Sequence, residues 1–425
     1  MSAFDKIIGY ETIKTELIQI CDMIHNRKIY DELGAKLPQG ILLYGDPGLG
    51  KTLMAKSFIE ESGLQAFTVR RNKGSDDFIG EITDTFARAK EHAPSIVFLD
   101  DMDKFANEDN NHKNAEEYVA VQSGIDEVKN SDVFVIATVN EKWNLPDSLT
   151  RAGRFDRKIE LARPTGKDAT AIITHYLKDK KVSDSVNMED LTKMIVYSSC
   201  AELETILNEA AIKAAYARKE TVEMGDLVQA VLGMQYDSPD NYTKTSAEKL
   251  KKTALHEAGH LVVCEVLAPE SVGLASLRTT GRDKTGGFVH RCKEFTKESD
   301  HVLVCLAGKA AVELYFSEEC TDGCESDIDN ALKYIRSGLS VSASRGFGMF
   351  DVGTRRYGIS EVMNSRSEAV VQAELERFMI RTKDILLKNR AFLEKATEAL
   401  MEKETLLYSD ICEIKKGVDI IEITI

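Results

Sequence analysis

The sequence predicts an α/β domain built on a parallel sheet, a helical segment after it, and then a mainly α-helical domain. Three observations predict this. Short apolar runs alternate with helical patterns in the first third of the chain. A glycine-rich loop joins the first of those runs to a helix. From about Ser246 onward helical periodicity dominates, and it carries a His-Glu-x-x-His motif.

Residues 12–33 open the chain with a helical pattern, in which Ile13, Leu17, Ile20 and Ile24 fall on one face. Pro38-Gln39-Gly40 breaks it, and Ile41-Leu42-Leu43-Tyr44 reads as a buried strand. A second apolar run, Ile96-Val97-Phe98-Leu99, ends in two aspartates. A third, Val133-Phe134-Val135-Ile136-Ala137, ends near Asn140. From about Lys167 to Leu232 the strands stop and helical patterns take over. Asp237-Ser238-Pro239-Asp240-Asn241-Tyr242 has the punctuation of a linker. In the last part only residues 273–292 look different: Gly273, Gly281, Gly286 and Gly287 with interleaved β-formers suggest a small strand pair.

With 425 residues, the chain has room for two or three domains. Hydrophobic residues make up 43% and charged residues 29%, so each part can bury a core. The net charge of −15 argues against a nucleic-acid binder that works through a broad basic face. The eight cysteines form no C-x-x-C pair and no dense framework, so reduced thiols are expected. Cys320 and Cys324 have no second pair to complete a metal site. No secretory signal opens the chain, and no run of 18 apolar residues occurs, so the expectation is a cytoplasmic protein with no intrinsic membrane segment.

Gly45-Asp46-Pro47-Gly48-Leu49-Gly50-Lys51-Thr52 fits G-x-x-x-x-G-K-[ST] between a predicted strand and a predicted helix, Leu53–Glu61. Glycines let backbone N–H groups wrap the phosphates of ATP, and the helix N-terminus adds positive potential. Lys51 is expected to reach the β- and γ-phosphates and Thr52 to bind Mg²⁺. Asp100 and Asp101 close the second strand, where carboxylates hold Mg²⁺ through water and polarise an attacking water. Asn140 follows the third strand and is placed to orient water near the γ-phosphate. Arg151, Arg154 and Arg157 lie within seven residues. They fit either a solvated face or arginine fingers for a neighbouring subunit, and the residues alone do not separate the two.

His256-Glu257-Ala258-Gly259-His260 lies in a helical pattern, Leu250–Leu267. Spacing i, i+4 puts both imidazoles on one helix face as zinc ligands. Glu257 then serves as general base on a zinc-bound water. A catalytic zinc needs a third protein ligand. The candidates are the carboxylates of Glu325-Ser326-Asp327-Ile328-Asp329, with Asp322 a further alternative.

The chain resembles the FtsH-type AAA+ ATP-dependent zinc metalloproteases over nearly its whole length. The motifs GDPGLGKT, IVFLDDMD, ATVN at Ala137–Asn140, RAGRFDR, HEAGH and CESDID occur in the family's order and near its spacing. The resemblance implies that Asn140 is the sensor and that Arg154 and Arg157 are arginine fingers at the subunit interfaces of a homohexamer. It places Phe78-Ile79-Gly80 at the pore loop, with Phe78 gripping unfolded substrate. It selects Asp327 as third zinc ligand, and it makes Gly286-Gly287-Phe288-Val289-His290 a strand beside the zinc, open to pairing with extended substrate. The sequence departs from the family in three places. Asp101 stands where the family has Glu, which sets the carboxylate back on the order of 1.5 Å. The chain begins at the ATPase, where the family has a membrane anchor first. The segment after Phe78-Ile79-Gly80 is also shorter.

The expected organisation is an AAA+ P-loop subdomain (1–163), a helical lid (164–236) and a zinc metallopeptidase domain (237–425). The expected function is ATP-driven unfolding, threading and hydrolysis of unfolded or misfolded proteins, with Zn²⁺, ATP and Mg²⁺ as cofactors. Two rivals remain: a zinc peptidase whose ATPase is weak or serves assembly only, and a non-proteolytic AAA+ unfoldase.

Overall fold

The computed structural model describes residues 2–71, 75–107, 115–151, 153–238, 246–279, 286–316, 323–341 and 361–422. Gly281, Cys320, Asp322 and most of the linker, residues 239–242, lie outside the described residues. The chain divides into two compact units, residues 1–180 with 197–207 and residues 181–196 with 208–425. The segment read as a lid, 164–236, is thus shared between them. It consists of helices Gly166–Leu177, Met188–Met194, Cys200–Tyr216 and Met224–Tyr236.

The first unit is built on a parallel sheet. Its strands are β1 (Gly40–Tyr44), β2 (Gln65–Val69), β3 (Ser95–Leu99), β4 (Val133–Val139) and β5 (Arg157–Glu160), in the order β2-β3-β4-β1-β5. The three inner strands are the three apolar runs read in the sequence, and β3 and β4 are buried along their whole length. The edge strands β2 and β5 escape a search for apolar runs because exposed residues interrupt them, Gln65 and Thr68 in β2 and Arg157, Lys158 and Glu160 in β5. Helix Glu11–His25 buries Leu17, Ile20 and Cys21. Helix Ser75–Glu91 buries Phe78, Ile82, Phe86 and Ala89, spaced as one helical face. The register pairs Tyr44 with Val139 and Leu99 with Ala137. The loops after β1, β3 and β4 therefore meet at one carboxyl edge, where ligands of such sheets bind.

In the second unit, helices Ala247–Leu267, Glu298–Tyr315, Glu325–Val341, Glu361–Lys388 and Arg390–Lys403 surround one core. The first of these is buried almost continuously from Ala254 to Val266. Each large aliphatic side chain buried there contributes roughly 1.5–3 kcal/mol. Gly259 lets this helix approach Glu298–Tyr315 closely, because a Cβ would lie 2.7 Å from the Ala311 Cβ. The predicted strand pair is β6 (Val272–Ser276) and β7 (Phe288–Arg291), antiparallel. A third strand, β8 (Thr405–Leu407), covers the other edge of β6. At three residues between two helices, β8 carries no periodicity of its own. Buried Glu265 anchors β6: its carboxylate accepts from the Val272 and Glu270 amides, both at 2.9 Å, and pairs with Lys415 at 2.5 Å.

Among the described residues no helix is long and apolar enough to cross a membrane.

Candidate active site

Helix Ala247–Leu267 carries His256 and His260 one turn apart, and their Nε2 atoms converge to 3.0 Å. Asp327, in the first turn of helix Glu325–Val341, brings Oδ2 to 3.2 Å from both nitrogens. A tetrahedral zinc with bonds of ~2.0–2.1 Å separates its ligand atoms by roughly 3.3 Å, so this triangle fits the ion. Of the carboxylates offered by the sequence, the metal-binding group contains Asp327 and neither Glu325 nor Asp329. Burial works against a charged Asp327, yet the two imidazoles beside it hold its carboxyl far below the usual range. His260 is oriented from behind, because its Nδ1 lies 2.8 Å from the Val304 carbonyl and must carry the proton, which frees Nε2 for a metal. His256 Nδ1 faces the Cys324 thiol at 3.8 Å.

Glu257 is buried beside this triangle, and burial raises its carboxyl above the usual carboxylate range. β7 passes directly against it. A Cβ on Gly287 would sit 2.7 Å from Glu257 Cγ, so only glycine lets the strand come this near. Gly308 has the same role for His256, whose ring occupies the space a side chain would need. No local pattern marks Val304 or Gly308, and Cys324 stands out only as half of a cysteine pair with Cys320. Only the crossing of three helices makes them neighbours of the motif.

His290 is not a ligand. Its Nδ1 meets the Tyr236 hydroxyl at 2.6 Å, and Tyr236 stacks on Phe288 with ring centroids 3.9 Å apart. A cleft of about 760 Å³ runs along the metal triangle and β7.

At the carboxyl edge of the parallel sheet, Gly45, Gly48 and Gly50 all have positive φ. Asp46, Pro47 and Leu49 complete the loop, and Asp46 is held by Arg163 at 2.8 Å. Lys51 begins helix Lys51–Ser62 and folds its amine back over the loop, 2.7 Å from the Gly45 and Asp46 carbonyls. Burial lowers its pKa, while Asp101, Asp103 and Asp46 oppose that shift. Thr52 and Thr138 both donate to Asp100 Oδ1 at 2.9 Å, which fixes Asp100 beside the loop. These are the donors and carboxylate that a nucleotide with Mg²⁺ requires. Asp101 turns its Oδ2 to Lys104 at 2.6 Å. The Asn140 backbone N–H donates to Asp103 Oδ2 at 3.3 Å. Burial raises the Asp103 carboxyl. Thr138 and Asp103 lie inside the ATVN and IVFLDDMD motifs, but only the folded site gives them a role.

Two expectations are corrected. Phe78 is fully buried, edge-to-face on Phe105 at 5.2 Å, and cannot grip a substrate from there. Its place on the apolar face of an amphipathic helix outweighs the Phe-Ile-Gly likeness, while Ile79 is half-buried and Gly80 exposed. Arg154 is only 3% exposed and is not an open finger. It makes a two-pronged pair with Asp126, at 3.0 and 2.6 Å, and also donates to the Ser148 carbonyl. Arg157 on β5 is exposed, with Glu16 3.8 Å away.

Residues 41–163 match the family "ATPase family associated with various cellular activities (AAA)". Residues 243–414 match "Peptidase family M41". The ATP-dependent zinc metalloprotease FtsH 3 of Symbiobacterium thermophilum is 32% identical, over 95% of this chain and 69% of its own length. The ATP-dependent zinc metalloprotease FtsH of Leptotrichia buccalis is 31% identical, over 97% of this chain and 57% of its own. That of Caldicellulosiruptor bescii is 29% identical, over 95% and 70%. The chain thus spans between about half and three quarters of the relatives it matches, from 57% to 70% of these three. A zinc-fitting triangle and a nucleotide loop in one chain agree with that likeness, and the chain belongs to the FtsH family of ATP-dependent zinc metalloproteases.

Proposed function

We propose that this chain uses ATP to unfold and thread unfolded or misfolded proteins and cleaves them at a zinc site, with Glu257 as general base. The observation that carries the reading is the triangle His256, His260 and Asp327 with buried Glu257 beside it. Zinc, when bound, supplies Lewis acidity that lowers the pKa of water and polarises a carbonyl. His260 is held in the ligating tautomer by Val304. Glu257, whose proton affinity is raised by burial, takes a proton from the attacking water and returns it to the leaving amine. β7 lies at an edge of its sheet, so an extended chain can add to it and lie along the cleft.

In the ATPase, Lys51 and the loop Gly45–Thr52 hold the phosphates, and Thr52 and Asp100 hold Mg²⁺. Asp101 and Asn140 position water. The exposure of Arg157 supports it as the finger offered to the next subunit of a homohexamer, with Arg154 bracing the same turn through Asp126. The three-part division at 163 and 236 belongs to the same proposal. The seven described cysteines are free thiols, which supports work in a reducing, cytoplasmic compartment.

One observation favours a second reading, a zinc peptidase with slow ATP turnover. Asp101 is short and its Oδ2 is engaged by Lys104.

The test is degradation of casein with chelator and nucleotide varied independently. Cleavage that needs zinc and rises with ATP supports the first reading. Cleavage that needs zinc and ignores ATP supports the second, and no cleavage contradicts both.

A further inference from the structure

Besides the hydrolytic site, the cleft is lined by four charged side chains, Glu248, Lys249, Lys252 and Arg291. Lys252 pairs with Glu248 at 3.0 Å, Lys249 is exposed on the same helix, and Arg291 stands on the strand side of the cleft, at the end of β7. On β7, Val289 and Arg291 alternate with Phe288 and His290 and so share a face. Val289 packs on the core and lines the cleft with Arg291, while Phe288, stacked on Tyr236, lines it too and His290 bonds the Tyr236 hydroxyl. The cleft wall beyond His260 continues through Cys264, one turn further along the same helix, and Cys305. Both thiols lie within the field of Arg291.

The guanidinium is fixed in place but not neutralised. It lies over the Phe295 ring, 4.6 Å from the centroid. Its Nη1 is buried without a hydrogen-bond partner, and no carboxylate among the described residues pairs with it. Buried charged donors are ordinarily satisfied. Here a cleft-lining guanidinium keeps unused donors on Nη1, and its rigid fork is the geometry that grips a carboxylate through two parallel bonds. The charge also reaches neighbouring groups. Burial, with Arg291 beside it, lowers His290 to about 4.

We propose that Arg291 forms a carboxylate-binding subsite of the cleft, selecting peptide substrates with an acidic group near the bond to be cleaved. The proposal rests on the protease reading above and deepens it. Gly287, the residue before β7, marks the level of Glu257, and Arg291 is four residues on, roughly 13 Å along the chain. A substrate paired with β7 thus brings a side chain about two to four residues from the scissile bond to Arg291. The carboxylate comes either from an Asp or Glu side chain or from the C-terminus of the peptide.

The experiment uses the full chain carrying Glu257→Gln and loaded with zinc, so that peptides bind without being cut. Fluorescent nonapeptides carry Glu or Gln at each position in turn, and a parallel pair ends in a free acid or an amide. Dissociation constants are read by anisotropy. At one position Glu is expected to bind on the order of tenfold tighter than Gln. Arg291→Gln abolishes that difference, and Arg291→Lys, which keeps the charge but not the fork, retains part of it. If the free acid discriminates instead of the Glu series, the carboxylate recognised is the chain terminus. Equal binding of Glu and Gln peptides together with equal binding of acid and amide, or a preference that survives Arg291→Gln, overturns the subsite. The same peptides are offered to the zinc-loaded chain with Glu257 intact. Cleavage without acidic preference overturns the subsite alone, whereas cleavage of none overturns the protease reading and the subsite with it.

Discussion

Asp327 Oδ2 stands 3.2 Å from His260 Nε2, although the two residues lie on different helices and far apart in sequence. The same oxygen is 3.2 Å from His256 Nε2. One carboxylate thereby turns a two-histidine helix face into a three-ligand site.

The first prediction concerns that carboxylate. Asp327→Asn keeps the shape and removes the anionic ligand. Zinc affinity should fall about 100-fold or more, measured by competition with a chelating dye. Unchanged affinity would mean that another group completes the site.

Phe78 leads to a stability prediction. Its ring is buried against Phe105 and the helix face of Ile82 and Phe86. Phe78→Ala should destabilise the first unit by about 3–5 kcal/mol, seen as a lower urea midpoint. A variant of normal stability that fails only in degradation would restore a threading role.

The two motif sites were legible because each is written in a few consecutive residues whose chemistry depends on spacing. Gly45–Thr52 needs only a strand before it and a helix after it, and His256 and His260 need only one helical turn. The inner strands β1, β3 and β4 were legible because burial on both faces leaves unbroken apolar runs. What failed was non-local or half-solvated. β2 and β5 are polar edges, and β8 is too short to show a period. Val304, Gly308 and Cys324 reach the histidines only through packing. Phe78 was misread although the signal was present: Phe78, Ile82, Phe86 and Ala89 are spaced as the buried face of a helix. Arg154 reads as a finger from its local sequence because its partner Asp126 lies on another helix and is invisible to a motif.

Titration of His290 gives a third prediction. Burial and then the Arg291 charge lower it from 6.5 to about 4. Above pH 6.5 the ring is neutral in both folded and unfolded chains, so full stability is present. As pH falls from 6.5 toward 4, the unfolded ring binds a proton that the folded ring refuses, and stability is lost. The loss approaches roughly 3 kcal/mol at the low end of that window. Urea unfolding of metal-free protein between pH 7 and 4.5 should show this slope, and His290→Gln should flatten it. Equal slopes in the two proteins would contradict the assignment.

Asp101 carries the fourth. Its carboxylate is short and engaged by Lys104 at 2.6 Å. Asp101→Glu adds the missing methylene and should raise ATP turnover roughly tenfold or more. Turnover that falls in Asp101→Glu would show that this site is built around aspartate.

The measurement closest to the central claim is made on Glu257→Gln. The substitution keeps the size of a buried side chain and removes the base beside the His256, His260 and Asp327 triangle. Zinc-dependent casein cleavage should fall by about 100-fold or more, while ATP hydrolysis through Lys51 stays within about twofold of the unaltered chain. A Glu257→Gln protein that still digests casein at the normal rate would contradict the account.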